Sequence, residues 1–106
     1  MNREEFTKLM EVKHLELLQI NQTKGNEYAG EADALDNFKR HAQALDLRPE
    51  QVWAVYAGKH WDAIMSYCRR GHVLSDEGIE GRIDDAILYL YLLLGLVVDG
   101  EKEQLS

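Results

Sequence analysis

The chain has 106 residues, 19 acidic and 12 basic side chains and a formal charge of -7, which suits one small domain and argues against an electrostatic nucleic-acid binder. Its lone cysteine, Cys68, excludes an internal disulfide and implies a reducing compartment. A single proline, abundant Leu, Ala, Glu, Lys and Gln, and the lack of clean two-residue alternation predict an all-α protein.

The first helix is expected over residues 2–22, where Phe6, Leu9, Met10, Leu17 and Ile20 recur at helical spacing between charged residues. Lys24-Gly25-Asn26 reads as its stop, and the stretch through Tyr28 and Gly30 to Glu31 as a loop. The second helix is expected over 32–46, with Leu35, Phe38, Ala42 and Leu45 on one stripe. Pro49 is placed to open the third helix, over 49–70, because its missing N–H costs nothing in a first turn. Trp53, Tyr56, His60, Ile64 and Tyr67 follow one face of that helix. Arg69 and Arg70 suit the negative end of its dipole, and Gly71 suits its C-terminal cap. The fourth helix is expected over 76–99, with Ser75 as its cap and Asp76, Glu77 and Glu80 at the positive end of its dipole.

Four helices with short connections predict an antiparallel four-helix bundle. The fourth helix adds a demand of its own. From Ile87 to Val98 it is apolar on every side, and three neighbouring helices cannot cover all of it. A homodimer or higher oligomer is the simplest cover, and a central fourth helix with a long loop over its far side is the alternative. The run is short of the roughly 18–20 apolar residues that span a bilayer. The N-terminal Met-Asn-Arg-Glu-Glu-Phe lacks the basic-then-apolar pattern of a signal peptide. The expectation is a cytoplasmic protein with no membrane partner.

The residues that could carry chemistry fall in three places. Glu80 and Asp84 are four apart and share a face of the fourth helix, extended one turn by Glu77. Arg82, Asp85 and Tyr89 share another. Carboxylates one turn apart can ligate Mg²⁺, which takes oxygen ligands and keeps several waters; the helix dipole alone also favours acidic residues there. The loop Lys24-Gly25-Asn26-Glu27-Tyr28-Ala29-Gly30 offers a cation, backbone donors near its glycines, an amide and a ring for a phosphate and a base, or is an ordinary connection. Lys59 and His60 in the third helix could face the carboxylates and meet phosphates, with Trp53, Tyr56 and Trp61 as a stacking surface; or His60 is a core histidine with one hydrogen bond.

Taken in order, Lys24-x-Asn26-x-Tyr28, Asp33-Ala-Leu-x-Asn37-Phe38, Lys59-His60 and Ile79-Glu80-x-Arg82-Ile-x-Asp85-x-x-x-Tyr89-Leu resemble small phage and prophage all-α proteins related to the MazG-like nucleoside triphosphate pyrophosphohydrolases. The resemblance covers roughly residues 15–98. It implies a nucleotide partner and a Mg²⁺ held by Asp85 with Glu80 or Asp84. It further implies Asp85, Glu80 and Lys59 as catalytic residues, with Lys24, Asn26, Tyr28, Asn37, His60, Arg82 and Tyr89 contacting the nucleotide. The chain departs from the family in two ways. Arg82 stands where the late-helix Glu-x-x-Asp pair would place glutamate, and the earlier helices lack the Glu-Glu-x-x-Glu cluster. Turnover and simple nucleotide binding therefore both stay open. A non-catalytic helical oligomer, acting as a phage accessory or interaction protein, is the alternative.

Overall fold

A computed structural model of the chain describes residues 1–27, 35–72 and 78–105, with side chains described for 1–23, 35–72 and 78–104. The described residues form four helices and no strand: α1 (Arg3–Glu27), α2 (Asp36–Leu45), α3 (Pro49–Arg70) and α4 (Ile79–Leu105). None is long and apolar enough to cross a membrane. The chain divides into two compact units, Met1–Ala34 and Leu35–Ser106.

The first unit is built on α1. The Asn2 side chain caps it, accepting the Glu5 N–H at 2.8 Å, and Glu4 and Glu5 sit in its first turn. The helix continues through Lys24-Gly25-Asn26 to Glu27, past the stop expected from the sequence. A glycine in a helix interior costs only about 1 kcal/mol relative to alanine, too little to end a helix without a proline or a cap. Of its apolar stripe, Leu17 is buried, whereas Phe6, Leu9 and Met10 are exposed.

The second unit packs α2 on α3 and α3 on α4. Its core is Leu35, Phe38, Ala42, Val52 and Leu96, with Trp53, Tyr89 and Leu92 packed against it. Three residues of the expected α2 stripe are in this core, but Leu45, at the helix end, is exposed. Helix α2 stops where Asp46 turns into the left-handed region (φ 56°), and the Leu47 N–H bonds back to the Ala42 carbonyl at 2.8 Å. Pro49 then opens α3 as expected, and the Arg48 N–H is satisfied by the Gln51 side chain at 2.8 Å. Gly71, at φ 75°, closes α3 and donates its N–H to the Tyr67 carbonyl at 2.7 Å.

Helix α4 starts with the Arg82 N–H bonded to the Gly78 carbonyl, and it runs through Gly100 to Leu105. It was expected to end at Asp99-Gly100. Good helix formers (Glu101, Lys102, Glu103, Gln104) follow Gly100 with no proline, so the glycine's cost is outweighed. The Lys39 ammonium meets the Asp99 carboxylate at 2.9 Å and ties α2 to the later part of α4. The expected Ser75 cap and the acidic Asp76 and Glu77 lie outside the described residues.

Candidate functional site

Adjacent residues on a helix point about 100° apart, so only one of two neighbours can face a given partner helix. At Lys59-His60 that neighbour is His60, which is 7% exposed, whereas Lys59 faces solvent. One of the two readings of the sequence had both residues facing the carboxylates of the fourth helix, and the other had His60 as a core histidine. Across from His60 stands Asp85 of α4, with Nδ1 to Oδ2 at 3.7 Å. That is an ion-pair separation for a protonated imidazole and longer than a hydrogen bond.

One turn further along α4, the Tyr89 ring lies against the His60 ring, with centroids 4.8 Å apart and planes at 44°. Burial pushes the Tyr89 phenol above its ordinary value of 10.0, and the nearby Asp85 carboxylate and Tyr56 phenol push it the same way. All three effects disfavour a phenolate, so Tyr89 is a neutral hydroxyl at physiological pH.

An aromatic array runs on from this cluster. Phe38 of α2 meets Tyr89 edge-on at 6.4 Å and Tyr56 at 6.1 Å. The Tyr56 hydroxyl reaches His41 Nδ1 at 3.4 Å. Trp53 does not face solvent as a stacking platform would. Its indole N–H donates to the Tyr89 main-chain carbonyl at 2.6 Å. Trp61 is on the outside, 60% exposed.

Asp85, His60 and Tyr89 thus come together between α3 and α4. Arg82 and Asp84 lie half-buried on the same stretch of α4, and Glu80 is exposed. Asn37 is exposed at the start of α2 and accepts a hydrogen bond from the Arg40 guanidinium at 2.9 Å, which occupies it locally. The side chains of Lys24 and Asn26, and all of Tyr28, lie outside the described residues. Among the described residues no group of three or more His, Cys, Asp or Glu side chains is gathered to hold a metal ion. Magnesium commonly takes one or two carboxylates and completes its shell with water and substrate phosphate. Asp84 and Asp85 are half-buried carboxylates of one helix, and Glu80 is an exposed carboxylate of the same helix.

The role of Trp53 is one that sequence reasoning missed. Its place on the His60 stripe put it on one face of the third helix, but no sequence signal pairs an indole with a main-chain carbonyl 36 residues away. Comparison of the chain with protein-family models, with curated proteins and with solved structures finds no match in any of the three.

Proposed function

We propose that the chain is a MazG-like nucleotide-binding protein whose site is built on Asp85, His60 and Tyr89 where α3 meets α4. The observation that supports this reading is the approach of Asp85 to His60 at 3.7 Å, which joins two segments of the ordered motif from different helices. Asp85 with Glu80 or Asp84 would hold Mg²⁺ together with the nucleotide phosphates. When bound, the ion supplies neutralisation of phosphate charge and a lowered pKa for a bound water. The protein's own contribution is positional. Arg82 provides a cation for phosphate oxygens. Tyr89 offers a neutral hydroxyl, and Asn37 offers an amide for base or sugar.

The test is a panel of ribo- and deoxyribonucleoside triphosphates with Mg²⁺, read by thermal shift and by release of pyrophosphate and monophosphate. A shift with product release makes the chain a pyrophosphohydrolase. A shift without release makes it a binding protein. No shift and no product with any nucleotide rejects both. Asp85→Asn should abolish the response and leave the fold in place.

A second reading, a non-catalytic helical oligomer, is favoured by a different observation: Ile83, Leu90, Tyr91, Leu94, Val97 and Val98 of α4 are all exposed. Under it, Asp85 serves helix packing. Asp85→Ala would then lower the melting temperature, and neither protein would respond to Mg²⁺ plus nucleotide.

A further inference from the structure

We infer that Trp53 is a positioning residue: its indole bond to the Tyr89 carbonyl sets the register of α4 on α3 and so holds Asp85 and Tyr89 opposite His60. The apolar contacts between these helices are non-directional and tolerate sliding and rolling. A hydrogen bond does not, because it weakens steeply with distance and angle. Moving α4 by one residue shifts its backbone by about 1.5 Å and turns it by about 100°. Either displacement takes the Tyr89 carbonyl away from an indole that now reaches it at 2.6 Å.

The acceptor also matters. A mid-helix carbonyl has a second lone pair beyond the one used inside the helix, so it can accept the indole without breaking α4. It belongs to the main chain and marks the helix axis itself, whatever side chain residue 89 carries. The contacts order themselves accordingly. Trp53, early in α3, meets α4 at Tyr89, and His60, two turns later in α3, meets α4 one turn earlier, at Asp85. Fixing the first contact leaves the second little freedom. That this register serves a nucleotide site rests on the function proposed above; the register itself does not.

Trp53→Phe keeps most of the ring and removes the N–H donor. By NMR, the cross-relaxation between the His60 and Tyr89 rings, 4.8 Å apart in the native chain, should fall by about half or more. The Phe38–Tyr56 contact between α2 and α3 serves as the control for fold and should persist. An undiminished His60–Tyr89 signal in a folded variant overturns the inference. A second measurement needs no variant. In the native protein the Trp53 indole hydrogen should exchange with solvent about ten-fold or more slowly than that of exposed Trp61, and equal exchange would also overturn it. For a chain that binds nucleotide, Trp53→Phe should raise Kd by on the order of ten-fold or more. A chain that binds none rejects the proposed function, and the two NMR readouts still decide the role of Trp53.

Discussion

Asp46 ends α2 with φ at 56°, a conformation in which an L side chain crowds its own backbone. Aspartate tolerates this better than most residues, and glycine tolerates it best. Asp46→Gly should therefore raise stability by up to about 1 kcal/mol, and Asp46→Val should lower it by about 1–2 kcal/mol, both read from denaturant midpoints. Tyr89 makes stability depend on pH. Its phenol titrates above 10.0 in the folded chain because burial and the Asp85 carboxylate oppose the phenolate. Between the unfolded and folded values the unfolded chain has lost the proton and the native chain keeps it, so stability falls as pH rises. The contribution is complete below pH 10 and disappears as pH climbs through the raised folded value. Melting temperature should accordingly drop more steeply above pH 10 in the native chain than in Tyr89→Phe. Parallel curves would contradict the burial of this hydroxyl.

Between elements, the start of α2 approaches α4 at Gly95. A Cβ built there would sit 3.2 Å from Leu35 Cδ1, so glycine lets the start of α2 lie against α4. Alanine would gain about 1 kcal/mol of helix propensity and lose a comparable amount to crowding. Gly95→Ala should stay within about 1 kcal/mol of the native chain, while Gly95→Leu should destabilise by about 1–3 kcal/mol, measured by thermal or urea unfolding. Some element boundaries were readable in the sequence and others were not. Pro49 and Gly71 mark the ends of α3 because their backbone chemistry is local. Gly25 and Gly100 carry the same letter as Gly71 but lie inside helices, because their neighbours favour continuation. The difference between a capping and a passing glycine is a balance of about 1 kcal/mol, which composition does not resolve.

At the scale of the whole molecule, no large side chain among the described residues is completely enclosed, and much apolar surface faces outward. Leu90 is 57% exposed and Leu94 56%, in a run of residues that also includes Ile83, Val97 and Val98. Monomeric soluble proteins rarely keep such a contiguous stripe in water. Sedimentation should find a dimer or larger species, and Leu94→Lys, which sets a charge in that stripe, should shift it toward monomer with the helical content retained. A native chain that sediments as a monomer at high micromolar concentration would remove the argument. The all-helical class, the bounds of α3, the inward stripe of α2 and the excess apolar surface of α4 were all legible in the residue order, because periodicity, caps and hydropathy are local properties. Packing made the remaining choices. It turned His60 rather than Lys59 toward α4, brought Asp85 to it, left Glu80 in solvent and gave the Trp53 indole a main-chain partner. Those outcomes depend on the rotation of one helix about its axis relative to another, and residues far apart in the chain set that angle jointly.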